Sequence, residues 1–254
     1  MISYWRSFLF LVAYSFRRQV RSRKMLLALV ILAMIATVVF IAGAREPWTA
    51  RSFGEWVVLR MFGLFFLPVV TLMFGTGALG DDRDEKSLVY LVTRPLARWS
   101  LFAGKLLGVL PQVIGFTAGG LWLLCSVARS RGVPDLDEAL GMYLPAMLCG
   151  ALAYLAFFHF LAAAFRHSTL IAVAYVFFVE VFLGRVPGIM KRVSISFYTW
   201  SMVYDDAAPA GLKPMPIFLP LEGDAARTVL LAVACGFLVV GAWVFSRREY
   251  HDAV

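Results

Sequence analysis

Apolar stretches the length of a bilayer recur along the chain, at about 25–43, 56–79, 105–128, 140–165, 169–184 and 226–245, separated by short charged or turn-rich breaks. A run near 20 residues rises about 1.5 Å per residue and crosses roughly 30 Å of hydrocarbon. Backbone groups in lipid must bond within their own segment, so the pattern predicts membrane helices rather than alternating strands. Only Arg166, His167 and Ser168 separate the fourth and fifth runs, which predicts a tight hairpin. Ahead of the first run, Ile2, Trp5, Phe8, Leu9, Val12 and Phe16 recur near helical spacing, with Arg6, Arg17 and Arg18 toward the other side. That stretch predicts an amphipathic helix lying in the membrane interface. Although basic residues precede an apolar run here, the run has the length of a full span, so 1–24 is expected to stay in the mature protein.

The expected fold class is therefore an all-α membrane protein: an interfacial N-terminal helix (1–24) and one six-span domain (25–254). Composition agrees, since 61% of the residues are hydrophobic, 16% are charged and the mean hydropathy is +0.79. A soluble domain cannot hide that much apolar surface. The formal net charge of +8 raises nucleic acid as a partner, but the cations flank hydrophobic runs and form no basic domain, so no nucleic-acid partner is expected. The cluster Arg17, Arg18, Arg21, Arg23 and Lys24 and the pair Arg247, Arg248 set the orientation instead. Both termini and the loop 80–104 are placed in the cytoplasm, and 185–225 outside. The sequence SFYTWSMVY within 185–225 suits a short helix on or dipping into the membrane, with a plain surface loop as the alternative. Cys125, Cys149 and Cys235 are odd in number, lack CxxC spacing and lie in apolar stretches, which points away from disulfides and metal ligation.

No constellation for catalysis stands out. His159, His167 and His251 form no HExxH, no Gly-rich loop ends in Lys-Ser or Lys-Thr, and no GxSxG occurs. No catalytic residue, metal site or cofactor is expected in this chain, and driven work would take its energy from a partner. Among polar residues inside the runs, Glu180 stands out, because a mid-membrane carboxylate costs about 2.5–3.5 kcal/mol on insertion scales and must face an interior or a wet cavity. It suits a substrate route or a cation site; as a structural group it would pair with Arg60 or Arg185. His159 and Gln112 are candidates for the same route or for hydrogen bonds between helices.

The segment 81–105 reads DDRDEKSLVYLVTRPLARWSLFAGK. Leu88, Leu91 and Val92 fall at helical spacing, acids crowd the first turn, Arg94 closes the last, and Pro95 stops it. A short amphipathic cytoplasmic helix over 84–94 is predicted, and its apolar face needs a cover: bilayer, neighbouring spans or a docking protein. Acids followed by Glu85-Lys-Ser-Leu88, an aliphatic run, Thr93-Arg-Pro95, Arg98 and Gly104-Lys105 resemble the signature of the ABC-2 type transporter permeases, the NosY-like group included. The layout agrees: an Arg-Ser-Arg-Lys entry to the first span, six spans, and Phe-x-Arg-Arg-Glu at 245–249. Lys86 departs from the family, which usually has a small Gly before the Ser or Thr.

The resemblance implies that 84–94 is a coupling helix seated in a soluble ATPase subunit, with Leu88 and Leu91 as apolar docking residues and Asp84, Glu85, Arg94 and Arg98 as polar ones. It further implies two ATPase copies that bind the ATP and Mg, a second permease copy, and export through the dimer interface by alternating access. The expected home is the inner (plasma) membrane of a bacterium. Two other classes compete: a membrane anchor for an ATPase doing mechanical or assembly work, and an ion-coupled secondary transporter using Glu180. The cargo is left open, since lipids, drugs, peptides, sodium and copper or sulfur species all suit the family.

Overall fold

Helix α1 (Ile2–Val20) stops in a turn too short to carry it away from its successor: Ser22 N and Ser22 Oγ both donate to Gln19 O, at 3.0 and 2.7 Å, and α2 (Arg23–Arg45) begins. A computed structural model describes residues 2–84, 97–131, 136–185, 188–209, 211–214 and 218–247, and every regular element among them is helical. Thr49 opens the next helix with a capping box, its hydroxyl accepting from Ser52 N at 3.1 Å while Ser52 Oγ accepts from Thr49 N at 3.0 Å. Three pieces then run end to end as α3: Ala50–Ser52, a π-helical Phe53–Phe66, and Leu67–Asp84. In the widened register Leu67 N donates to Phe62 O. The register ends beside Pro68, which has no N–H to give its own helix.

The remaining helices are α4 (Arg98–Arg129), α5 (Leu136–Ala164), α6 (Ser168–Phe182, π-helical from Val176), α7 (Ile195–Asp206) and α8 (Gly223–Arg247). Among the described residues, five helices are long and apolar enough to cross a membrane: α2, α3, α4, α5 and α8. Helix α6 is apolar but shorter, and passes into a 3₁₀ turn at Leu183–Arg185.

Helices α3 and α5 form the centre, with 72% of their most apolar windows buried, against 22% for α2 and α8. The α3–α4 contact is aromatic, since Phe116 packs on Phe74 at 5.7 Å and on Phe66 at 6.3 Å between ring centroids. The outward side chains of α2, such as Leu26, Val30 and Met34, and of α8, such as Val239, are apolar and exposed, as a surface facing lipid requires.

The two ends of the bundle are distinct. At one, Leu79 of α3, Phe102 of α4, Ala162 and Ala163 of α5 and Phe245 of α8 share a small core with Leu11 of α1. At the other, the Arg131 guanidinium lies 3.5 Å over the Phe40 ring. Gly223 lies about 27 Å up α8 from Gly241, which touches Phe102. The chain thus enters α6 at the Phe102 end and enters α8 at the far end.

Helix α7 is not a surface element. Residues Ile195 to Val203 are almost entirely buried among α5, α8 and the π-helical part of α3. SFYTWSMVY is helical, as one of its two readings had it, but it is sunk among other helices rather than lying on or dipping into the membrane, and it is no plain surface loop.

Candidate functional site

The described residues frame the segment 85–96 on both sides. On the α3 side, Lys24 Nζ reaches both Asp81 oxygens at 2.7 Å, with the side chains 28% and 34% exposed. The ammonium passes over Gly77, where any β-carbon would collide with it, so a residue without a side chain is what lets the start of α2 reach the end of α3. On the α4 side, Ser100 Oγ and Ser100 N both bond to Ala97 O, at 2.7 and 2.9 Å, fixing the first turn.

Helix α1 closes over the same place. Gly104 and Gly108 of α4 expose backbone on one stripe, and Leu11, Ser15 and Phe16 of α1 settle directly on it. Lys105, 3% exposed, is sealed beneath, its Nζ 5.8 Å from the Tyr14 ring centre. With Ser15, Arg18, Gln19 and Gly77 it lines a small polar pocket between α1, α3 and α4. The Gly-Lys pair at 104–105 therefore has a physical reading: the glycine admits α1 and the lysine anchors under it.

Arg98 stands at the start of α4 with Nη1 3.4 Å from Ser246 O of α8. Asp84 is the last residue of α3, while Glu85, Leu88, Leu91 and Arg94 lie outside the described residues.

Glu180 is 1% exposed and takes three hydrogen bonds: Tyr175 Oη donates to Oε1 at 2.8 Å, Ile195 N to Oε1 at 2.9 Å and Ser196 N to Oε2 at 3.1 Å. The carboxylate thus sits at the N-terminus of α7, where orphan N–H groups and the helix dipole favour it. Ser194 completes that end by accepting from Phe197 N at 3.3 Å. The other end of α7 is tied to α8, since Asp205 Oδ2 accepts from Gly223 N at 3.0 Å and Ser201 Oγ from Leu221 N at 3.2 Å. Neighbouring Asp206 has one buried carboxylate oxygen with no hydrogen-bond partner among the described residues. Burial pushes its carboxyl above the usual 3.8, while Arg227 pulls the other way.

His159 is fully buried where α3, α4 and α5 meet, its Nε2 3.1 Å from Phe102 O and its Nδ1 3.4 Å from Gly75 O. A neutral ring carries one N–H and so satisfies one of these carbonyls at a time. Gln112 Nε2 donates to Phe16 O at 3.2 Å, binding α4 to the end of α1. Glu180, His159 and Gln112 each join a different set of elements, and no hydrogen bond links one to another among the described residues. No group of three or more His, Cys, Asp or Glu that could hold a metal occurs among them either.

In the sequence Lys24 reads as an orienting cation and Asp81 and Lys105 as the ends of the segment 81–105; the Lys24–Asp81 pair and the burial of Lys105 under α1 were missed. The available signal was charge at a span end facing charge at another, with glycines at 77, 104 and 108 where helices must approach. Tyr175, five residues before Glu180, was also missed as a partner.

Spanning-length apolar helices around a buried apolar core define a multi-pass α-helical membrane protein. Residues 17–184 match the profile described as ABC-2 family transporter protein, and the chain belongs to that family. Over 217 residues it is 25% identical to a Pseudomonas aeruginosa protein named "Probable ABC transporter permease protein NosY", covering 75% of this chain and 78% of that one.

Proposed function

We propose that the chain is the permease subunit of an ATP-driven ABC exporter and that its 84–94 helix docks a separate ATPase. The observation that carries this is the frame around that segment: Asp81 is clamped to α2 by Lys24, and Lys105 is clamped beneath α1. A push on the loop therefore moves α1 to α4 together rather than being absorbed at its base. Docking is assigned to Asp84, Glu85, Leu88, Leu91, Arg94 and Arg98. Two ATPase subunits supply the bound ATP and Mg, and a second permease copy completes the pathway by alternating access at the dimer interface. The chain crosses the membrane six times, α6 included, with both termini on the cytoplasmic side. The three donors already engaging Glu180 support a fastening role for it over the ion-coupled reading, and Glu180, His159 and Gln112 would act on any pathway by shaping its walls.

Co-expression of the chain with a cognate ABC ATPase subunit tests the docking. Glu85→Ala with Arg94→Ala should abolish co-purification and coupled ATP hydrolysis while the permease still inserts. Undiminished complex and hydrolysis in that variant would overturn the assignment.

A further inference from the structure

The outer surface of the α1–α2–α4 junction holds a cavity of about 330 Å³. Its walls include Val20, Met25 and Leu29 on one side and Gly115 and Gly119 on the other. A β-carbon added at either glycine would meet nothing within 4 Å, so the hollow is open where a helix face is usually filled. Val20, Leu29, Gly115 and Gly119 are exposed, and the hollow faces what surrounds the bundle.

Three observations say what fits. The walls are apolar, and among the described residues Gln112 is the one polar side chain lining them. Gln112 is 5% exposed; its Nε2 is used on Phe16 O, and its Oε1 takes no donor from the described residues. It can therefore accept from a hydroxyl brought into the cavity. Val20 and Met25 flank the α1–α2 turn, where Arg17, Arg21 and Arg23 are exposed. Ser22 spends its hydroxyl on Gln19 O instead of capping α2, so the first turn of α2 beside this turn has no side-chain cap.

We infer that this cavity is a site for an anionic glycerophospholipid, with an acyl chain between α2 and α4, a headgroup hydroxyl near Gln112 and the phosphate at Arg21 and Arg23. Charge selects this occupant over a second copy of the chain. A copy related by a two-fold axis along the membrane normal would set its own arginine-rich turn against this one, whereas an anionic headgroup neutralises it. The site goes beyond transport, because it depends on membrane embedding and not on an ATPase.

The test uses the purified full chain, delipidated and offered phosphatidylglycerol or phosphatidylcholine with the same acyl chains, with retention read by native mass spectrometry. Phosphatidylglycerol should be retained selectively. Arg21→Gln with Arg23→Gln should weaken it roughly 30-fold, from about a fivefold loss per surface cation, and added salt should mimic the variant. Gly119→Leu should exclude both lipids by filling the cavity; should that variant fold poorly, the arginine pair decides alone. Equal retention of the two lipids would overturn the proposal, reducing the hollow to a groove wetted by bulk lipid. So would spontaneous disulfide-linked pairs of Gly115→Cys in a Cys235→Ser background, which would show a second copy covering it. Neither result bears on ATPase docking, which is read by co-purification.

Discussion

Glu180 accepts hydrogen bonds from a phenol and two backbone amides that have no water to fall back on. Glu180→Ala leaves Ile195 N, Ser196 N and Tyr175 Oη unpaired in the interior, at about 1–3 kcal/mol each before relaxation, so a loss on the order of 3 kcal/mol is expected. Glu180→Gln keeps one acceptor and should lose about half as much. Thermal unfolding of the purified chain measures both. Melting unchanged in Glu180→Ala would show that the carboxylate does not fasten α7, and loss of transport with normal melting in both variants would mark a chemical role. Asp206 acts in the opposite sense. Its folded-state pKa is raised by burial, so the folded chain holds that proton to higher pH than the unfolded chain does. Stability from this group therefore falls as pH rises from 3.8 through the raised value, and the penalty persists at neutral pH. Asp206→Asn should raise the melting temperature at pH 7 and leave it unchanged below that window.

The crossing of α2 with the end of α3 depends on an empty position. Gly77→Val places carbon where the Lys24 side chain runs, so it should break the Lys24–Asp81 pair as surely as Asp81→Ala does. With both side chains about a third exposed, the pair is worth about 1 kcal/mol or less in stability. Its larger effect should be on coupling: each variant should lower ATP-driven activity, and the double variant should lower it no further than Gly77→Val alone. Additive losses would mean that Gly77 and Asp81 act separately. The helices themselves were legible because lipid enforces length: the apolar runs at 25–43, 105–128 and 226–245 lie within α2, α4 and α8, which extend past them by a few residues at each end, most at the start of α4, where Arg98 to Gly104 precede the run. Polar partnerships were not legible, because a hydropathy pattern records burial and not direction. Nothing in the spacing says that Glu180 faces the amide of Ile195 rather than an arginine. Helix α7 was ambiguous for the same reason: its polar residues, Ser196, Thr199 and Ser201, read as surface until their bonds to Ser194, Ile195 and Phe197 are seen.

At the scale of the whole molecule, the open quantity is the number of crossings, and the two ends of the bundle constrain it. Helix α5 finishes in the same small core as Phe102 and Phe245, so residues 165–167 lie at that end. Helix α8 starts about 27 Å away along its axis and returns to that core. Under the proposed six crossings, one crossing separates Ala164 from Gly223, and α6 is the element available. At 15 residues, about 22 Å, it falls short of roughly 30 Å of hydrocarbon. The 3₁₀ turn Leu183–Arg185 lengthens it, and the start of α7 is bonded to Glu180 close to its end. Impermeant maleimide labelling of intact cells tests this in a background with the three native cysteines replaced by Ser. Ser130→Cys and Lys213→Cys, both at exposed positions, should react from outside, and His167→Cys only after lysis. If Lys213→Cys instead behaves like His167→Cys, the chain crosses five times. The Arg17–Lys24 cluster and the C-terminal arginines would then lie on opposite faces, against the charge pattern that orients the rest.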